Sequence, residues 1–493
     1  KVIKRMEAGD FSDFGPDGEY DYIAMTYSQV NTEGSKKMNA LLKAPKGKLI
    51  TILDESHNAA GTDSNQGENI AKLIDAEVSK GVLYLSATWA KTPDQMAIYH
   101  RAFGEGMSTD EINLAFTRGG VAMQEMTVAS MADKGAYVRR EQSFANVSFT
   151  RKKTTTPREV AAETEKAEKT MELVRDILSL GGKANDAVKT VDIEVDASAA
   201  FGDELDDKGN AVTASIDKPE SPFSQVHNYV NAFLTSLKAD IAANDAIEAI
   251  KKGVKPVIVI QNTMGSAIDQ LIESGAAKIG EGFGGSFADV LDMMLEKILI
   301  MPVKNNFTGK KSSVKVPLSS FPPAFQAEFK ALKAKIKQTE FKGMPFSPID
   351  YIANKIKQAG YSMGELTGRD KYLDYGDLKD GKPTLKMKEI GNQADYRKNT
   401  INEFNNGTTD AFLFNVAGAT GMSIHSSVDF KDQRQREMII LQPFGDINKF
   451  MQAIGRIHRV GEIVTESAVT NRIEGKPATY GYPSYKYLQS SLG

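Results

Sequence analysis

The chain has 493 residues, a formal net charge of −3, 41% hydrophobic residues and no cysteine. Its length predicts about two to four domains, and its apolar content is sufficient for large cores. The lack of cysteine excludes disulfides, thiolate metal sites and cysteine nucleophiles. The near-neutral net charge argues against nonspecific binding of nucleic acid through overall charge. Any binding of nucleic acid would need local basic patches.

The N-terminal part of the chain alternates strand and helix patterns. Short apolar, β-branched runs predict buried strands at residues 21–30, 48–54 and 81–85. Helices are predicted between them at residues 36–42 and 65–80. This order is typical of a parallel sheet with covering helices, which predicts an α/β domain over residues 1–150.

A second α/β domain is predicted over residues 223–465. Before it, residues 151–222 carry a helical pattern at 158–181 and an acidic linker at 196–222. The second domain begins with a helix, 225–252, followed by strands at 255–263, 410–416 and 437–441. Residues 276–345 interrupt the pattern and predict an insertion; residues 466–493 form a C-terminal extension.

Two carboxylates, Asp54 and Glu55, stand directly after the strand at 48–54 and are followed by Ser56 and His57. Sites in parallel sheets lie beyond the carboxyl ends of the strands. One carboxylate there can hold Mg²⁺ through water, and the next can orient or deprotonate an attacking water. A charged turn is the alternative for the carboxylates alone, and the Ser-His pair makes a nucleotide-hydrolysing site the more specific interpretation.

Two other stretches follow predicted strands. The hydroxyls of Ser86 and Thr88 can hydrogen-bond to the carboxylate loop, with a simple strand-ending turn as the alternative. Residues 417–425 contain Gly418 and Gly421, which let the backbone approach a ligand closely. We interpret this stretch as a loop facing phosphate or nucleic acid, and a tight turn is the alternative.

Residues 452–461 contain Gln452, Arg456 and Arg459. Residues three apart on a helix lie on one face, so the two guanidiniums would form a clamp for a polyphosphate. A solvated basic helix is the alternative interpretation.

In this order the motifs resemble those of superfamily 2 helicases. The DEAH-type Walker B motif, motif III, the position of motif IV and motif VI correspond to residues 54–57, 86–88, 255–263 and 452–459. The glycine loop and the arginine segment also resemble Swi/Snf-type translocases. The stretches most similar to the strawberry notch group, which includes eukaryotic regulators and large phage or plasmid-borne proteins, are residues 85–93, 135–141, 347–351 and 418–425.

The resemblance implies two RecA-like parallel-sheet domains with covering helices, which use ATP and Mg²⁺ between them. Asp54 would coordinate Mg²⁺ through water, and Glu55 would activate the hydrolytic water. Gln452, Arg456 and Arg459 would act on the nucleotide, with Arg459 as the arginine finger. The residues that would couple nucleotide state to nucleic-acid binding are His57, Ser86, Thr88, Gly418, Thr420 and Gly421.

The phosphate-binding loop G-x-x-x-x-G-K-[ST] is not found before Asp54. We expect that the chain is a fragment of a longer polypeptide and that its first domain is incomplete at the N-terminus; a degenerate ATPase is the alternative. These residues alone are therefore not expected to hydrolyse ATP.

Basic clusters offer further candidate contacts to nucleic acid, although a solvated face is the favoured interpretation of each. They are Arg139-Arg140, Arg151-Lys152-Lys153, Lys304 with Lys310-Lys311, and Lys330, Lys333, Lys335 and Lys337. The glycine-rich run at 280–285 lacks a preceding strand, so we interpret it as a flexible loop rather than a dinucleotide site.

The sequence therefore predicts a nucleic-acid-dependent ATPase that translocates on double-stranded DNA. The alternative is a catalytically inactive helicase-like structural or interaction module of a large phage or plasmid-borne protein. No apolar run reaches the length of a membrane span, and residues 1–30 lack a signal-peptide pattern. The expected location is cytoplasmic for a phage or plasmid protein and nuclear for a eukaryotic one.

Overall fold

The computed structural model divides the chain into two units, residues 1–142 and residues 143–493. The structure describes the following residues: 3–5, 22–30, 36–59, 65–86, 93–103, 109–138, 144, 147–153, 157–190, 200–201, 214–216, 223–306, 308, 310–341, 343–415, 418, 421–442, 445–459 and 482–490. Each unit is an α/β assembly with its own core.

The first unit contains two pairs of parallel strands. They are β1 (Ile3–Arg5) with β2 (Tyr22–Ala24), and β3 (Leu49–Asp54) with β4 (Ser79–Leu85). Its α-helices are α1 (Lys36–Leu41), α2 (Asn65–Asp75), α3 (His100–Phe103) and α4 (Thr109–Asp133), with short 3₁₀ helices at Tyr27–Gln29, Ser56–Ala59 and Pro93–Tyr99. Helix α2 connects β3 to β4 and buries Ile70, Leu73 and Ile74 at helical spacing.

The second unit is built on six parallel strands in the order β10-β13-β7-β14-β15-β5. Their bounds are β5 (Ser148–Lys153), β7 (Lys255–Val259), β10 (Met363–Leu366), β13 (Ala411–Phe414), β14 (Arg436–Ile440) and β15 (Ser484–Gln489). In the central strand β7, Val257 and Val259 join one core cluster, and Ile258 joins another. A strand buried on both faces is expected within a parallel sheet, so the predicted α/β class is confirmed.

Helices cover this sheet and continue into an additional layer. They are α5 (Pro157–Thr190), α6 (Phe223–Lys251), α7 (Gly265–Glu273), α8 (Phe287–Lys297), α9 (Pro323–Gln338), α10 (Pro348–Gln358), α11 (Gln393–Asn405) and α12 (Ile447–Ile454). An antiparallel sheet of β6 (Ala214–Ile216), β8 (Ile300–Asn305) and β9 (Lys311–Lys315) lies within this layer, followed by a 3₁₀ turn at Leu318–Ser320. The hairpin of β11 (Lys371–Lys379) and β12 (Lys382–Met387) is also antiparallel.

Two expected boundaries differ from this architecture. Strand β5 crosses the boundary expected at residue 150, and it pairs with β15 in the second unit. Strand β15 comes from the expected C-terminal extension, yet it lies between β14 and β5 in the sheet. Both strands are rich in polar residues, and their partners are distant in sequence, so local pattern did not reveal the pairing. The acidic linker at 196–222 lies mostly outside the described residues.

Within the described part of the chain, no helix is both long and apolar enough to span a membrane.

Candidate nucleotide site

The carboxyl ends of β3 and β4 bring the first predicted motif residues to one edge. Asp54, the last residue of β3, pairs in register with Leu85, the last residue of β4. Glu55 therefore follows one strand and Ser86 follows the adjacent one. This edge is where parallel sheets place ligands, so the sheet positions the carboxylates as the sequence indicated.

Glu55 holds an unusual backbone conformation at this edge. Its φ angle is +51°, in the left-handed region that residues other than glycine rarely adopt. One carboxylate oxygen, Oε2, is buried without a hydrogen bond from any described residue and lies 3.4 Å from Nδ1 of His57. Such strain and an under-satisfied oxygen are features that cluster at functional sites.

Side chains next to the carboxyl ends of β3 and β4 hold Ser56 and His57 in place. His57 is 8% exposed, and its Nδ1 lies 2.8 Å from Oγ of Ser86. The hydroxyl of Ser56 lies 3.0 Å from that of Tyr99 in a buried contact. The structure therefore joins His57 to Ser86, two of the predicted coupling residues, whereas Thr88 lies outside the described residues.

Two tyrosines support this loop and were not predicted as site residues. Tyr27 donates a hydrogen bond to the carbonyl oxygen of Asp54 at 2.7 Å. Burial, reinforced by Asp54, raises the pKa of Tyr27 to about 12. Burial also raises the pKa of Tyr99 to about 12, although its contact with Ser56 opposes the shift. Both phenols therefore remain protonated near neutral pH. A tyrosine at the end of an apolar run gives no sequence signal of this contact.

The carboxylates at this edge suit a hard cation that keeps most of its water ligands. Asp54 is exposed and Glu55 is partly exposed. The described residues contain no cluster of three or more His, Asp or Glu that would enclose a metal ion. Mg²⁺ is usually held by one or two carboxylates together with phosphate and water, so Asp54 and Glu55 fit that ion better than a protein-enclosed metal.

The arginine segment in the second unit does not form the helical clamp predicted for it. Helix α12 carries Gln452 but ends at Ile454, and Gly455, Arg456 and Ile457 form a turn. The expectation that Arg456 and Arg459 share one helix face is therefore wrong. Glycine has low helix propensity, and Gly455 interrupts the apolar periodicity at that point.

Both arginines nevertheless bind the loop that follows β13. Arg456 Nη1 donates to the carbonyl oxygen of Met422 at 3.3 Å. Arg459 Nη1 donates to Oγ of Ser423 at 2.9 Å, and its Nε donates to the carbonyl oxygen of Gly455 at 3.2 Å. Tertiary contacts thus bring the two guanidiniums to one loop.

The two arginines differ in their access to a ligand. Arg456 is 8% exposed, whereas Arg459 is partly exposed. Burial lowers the pKa of Arg459 from its ordinary value, but a guanidinium remains charged at neutral pH. Arg459 is therefore the better placed of the two to contact a ligand.

Gly418 and Gly421 of this loop are glycine for different structural reasons. A Cβ at Gly418 would lie 2.0 Å from the carbonyl oxygen of Leu366, so this glycine permits close packing against the protein's own backbone. Gly421 has a φ of +65° and open space around its Cα. Thr420, between them, lies outside the described residues.

His425, at the end of the same loop, is 8% exposed. Burial, assisted by the positive charges of Arg459 and Arg436, lowers the pKa of His425 to about 4. The imidazole is therefore neutral near pH 7. His425 therefore adds no positive charge near pH 7 to the loop that contacts Arg456 and Arg459.

A buried ion network lies at the end of β10, beside this loop. Arg369 donates to Asp350 at 2.6 and 2.8 Å and to Glu365 at 2.7 and 2.8 Å. Lys388 donates to Glu365 at 2.6 Å. Burial would raise the pKa of Glu365, but Arg369 and Lys388 outweigh it and hold that pKa at about 2. The charges of the two carboxylates and the two cations cancel. The network holds the end of β10, where Leu366 packs against Gly418.

A second buried ion network, also unpredicted, lies at the start of β7. Lys255 is fully buried, and its ammonium group lies 2.7 Å from Asp432 and over the ring of Phe404. Burial, opposed by Asp432, lowers the pKa of Lys255 to about 8. Arg436 lies 3.4 Å from the same carboxylate. This network is at the amino-terminal end of β7, away from the edge where ligands bind in parallel sheets.

Several of the basic side chains considered for nucleic acid are engaged by carboxylates. Lys333 pairs with Asp292 and Glu296, and Lys335 with Glu172 and Asp176. Lys152 pairs with the buried Asp245. The cluster Arg139-Arg140 lies outside the described residues.

The glycine-rich run at 280–285 is not a free loop. Gly280 N–H donates to Leu385 at 2.8 Å, and Phe283 N–H donates to Pro383 at 2.8 Å. Phe283 is buried. The interpretation of this run as a flexible loop is therefore wrong, because backbone hydrogen bonds join it to β12.

The parallel strands with covering helices and the carboxylates at the end of β3 are consistent with the domains of P-loop NTP hydrolases. Residues 22–163 match the model of the family described as P-loop containing NTP hydrolase pore-1. The matched segment is less than a third of the chain.

Two curated relatives make the resemblance more specific. Over 112 residues the chain is 31% identical to Protein strawberry notch of Drosophila melanogaster, and this alignment covers 20% of the chain and 7% of the relative. It is 34% identical over 112 residues to the Protein strawberry notch homolog of Caenorhabditis elegans, covering 20% of the chain and 6% of that relative. These similarities confirm the resemblance to the strawberry notch group. The aligned segment is a small part of each relative.

Proposed function

We propose that this chain is part of a nucleic-acid-dependent ATPase of the superfamily 2 helicase type that translocates on double-stranded DNA. The observation that carries the proposal is the edge formed by β3 and β4. There, the strained Glu55 follows Asp54, and His57 contacts Ser86 across the strand ends.

Glu55 is the proposed general base for the attacking water. Its Oε2 lacks a hydrogen-bond donor among the described residues and lies 3.4 Å from Nδ1 of His57. The nearby His57 and Ser86 would communicate the state of this carboxylate to the following chain. Asp54 would hold Mg²⁺ through water, and that ion would neutralise charge on the phosphates.

In the second unit, Arg459 is the proposed arginine finger. It is partly exposed, and its Nη1 donates to the uncharged hydroxyl of Ser423, so its guanidinium can exchange this hydrogen bond for one to a phosphate oxygen. Arg456 is more buried and bonds to the backbone of the same loop, which supports a positioning role. Gln452, on α12, would contribute a further contact to the nucleotide.

The test is ATP hydrolysis by the full-length protein with and without linear duplex DNA. Glu55→Gln should lower turnover by about 10²–10⁴-fold while ATP binding persists, because only the base is lost. Arg459→Ala should lower turnover by about 10³-fold or more. Glu68→Gln is a matched control, because Glu68 is an exposed carboxylate on α2 paired with Lys72 at 3.9 Å.

Wild-type turnover in both Glu55→Gln and Arg459→Ala would show that the mechanism is wrong. Displacement of the third strand from a DNA triplex reports translocation by a signal separate from phosphate release. A full-length protein that binds neither ATP nor DNA would instead support the inactive helicase-like module.

A further inference from the structure

The outer strand of the six-stranded sheet carries an exposed aromatic ring. Among the described strands, β5 lies at the end of this sheet and pairs only with β15. Phe149 of β5 is 57% exposed, and its ring stacks on that of Tyr485 with centroids 4.7 Å apart and planes 9° from parallel. Tyr485 is buried, and its hydroxyl donates to the carbonyl oxygen of Ile454 at 2.6 Å, so the inner ring of the stack is held in place.

The stack runs toward the free edge of the sheet. Phe149 and Tyr485 are partners in register, and neighbouring strands lie about 4.8 Å apart in the hydrogen-bonding direction. The centroid separation matches this spacing, so the rings stack along the direction in which strands are added. Phe144 also contacts the Phe149 ring, at 6.0 Å and a tilt of 47°, and the exposed surface is what remains after both contacts. A planar ring from solvent can therefore extend the stack.

Two cations share the face of Phe149. Side chains alternate along a strand, so Phe149, Arg151 and Lys153 lie on one face of β5. Both cations are exposed, and neither pairs with a carboxylate of the described residues. Lys152 lies on the other face, where it pairs with the buried Asp245 of α6. The uncompensated charge of β5 is therefore confined to the aromatic face.

An aromatic ring in one row with unpaired cations matches a polyanion that also carries planar rings. An unpaired nucleic-acid strand offers both, because its bases stack on aromatic side chains and its phosphates bind Arg and Lys. Charges at a sheet edge also prevent association with other strands, but that role does not require an exposed ring beside them. An acidic peptide would match the charges alone.

We propose that this face of β5, formed by Phe149, Arg151 and Lys153, binds an unpaired DNA strand. One base would stack on Phe149, and phosphates would bind Arg151 and Lys153. The three side chains follow one another at about 6.6 Å along the strand, so they would contact successive nucleotides of an extended chain. The choice of DNA rests on the proposed function, whereas the three residues are separate from the predicted nucleotide-site residues.

The test is fluorescence anisotropy of a labelled oligothymidylate of about 15 nucleotides with the 493-residue chain, without ATP. Phe149→Leu should weaken binding by about fivefold or more, because base stacking is lost and an apolar contact with Tyr485 is kept. Tyr22→Leu is the matched control and should leave the affinity unchanged. Tyr22 is also 57% exposed and belongs to the first unit.

Phe149→Trp tests stacking directly. This variant should bind the oligothymidylate at least as tightly as wild type, because indole also stacks on bases. The fluorescence of the introduced indole should be quenched when the oligonucleotide binds, beyond any change seen in wild type.

The salt dependence of binding separates the cations from the ring. The double variant Arg151→Gln, Lys153→Gln should reduce the slope of log affinity against log salt concentration by about 1.4, because each phosphate contact contributes about 0.7 on a single strand. Phe149→Leu should leave this slope unchanged. The matched control is Lys330→Gln, Lys337→Gln, which removes two exposed lysines from α9.

Four results would overturn the proposal. They are no binding of the oligothymidylate by the wild-type chain, equal affinity in Phe149→Leu and Tyr22→Leu, and equal salt slopes in the two lysine-and-arginine double variants. The fourth is equal competition by polyglutamate, which would make this face a site for acidic peptides. A chain that binds the oligothymidylate as expected, in a full-length protein that does not hydrolyse ATP, would refute the proposed function and leave this proposal standing.

Discussion

Replacing Arg369 with methionine should lower the free energy of unfolding of the second unit by about 3–5 kcal/mol. The side chains of Arg369, Asp350 and Glu365 are 2%, 4% and 12% exposed. Wild type balances two carboxylates with Arg369 and Lys388. Arg369→Met removes one cation and five hydrogen bonds, one of them to Oγ of Ser347, and leaves one buried negative charge without compensation.

The assay is urea unfolding followed by far-ultraviolet circular dichroism, which gives the midpoint and the slope. Arg175→Met is the matched control. Its side chain is 74% exposed and lies 3.6 Å from Asp176, so its loss should cost less than about 0.5 kcal/mol.

A double variant tests the electrostatic reason. Adding Asp350→Asn to Arg369→Met restores charge balance, because Glu365 then faces Lys388 alone, and an amide oxygen can still accept from the N–H of Leu373. The double variant should recover at least about 1 kcal/mol relative to Arg369→Met. A loss below about 1 kcal/mol in the single variant, or no recovery in the double, would refute the reasoning.

Two other predictions concern the loop after β13. Gly418→Ala should destabilise the second unit by about 1–3 kcal/mol in urea unfolding, because its Cβ would meet the Leu366 carbonyl oxygen, whereas Gly445→Ala, with open space, should be neutral. The lowered pKa of His425, about 4, means that the unfolded chain binds a proton first as pH falls below about 6.5. Stability should therefore decline from pH 6.5 toward 4, and less so in His425→Leu; equal declines would contradict this assignment.

The sequence by itself determined the α/β class, and the motifs indicated the relatives. Apolar runs of strand length and helical periodicity are local, so β3, β4, β7 and their covering helices follow from neighbouring residues. The position of Asp54 and Glu55 at a strand end follows for the same reason.

Only the tertiary structure decided how distant segments combine. Strand β15 joins the sheet through pairing with β14 and β5, whose partners local composition does not specify. The arginines contact one loop although their helix ends before them, because Met422 and Ser423 supply the acceptors. The Tyr27 contact and the Arg369 network depend likewise on groups that folding alone brings within hydrogen-bonding distance.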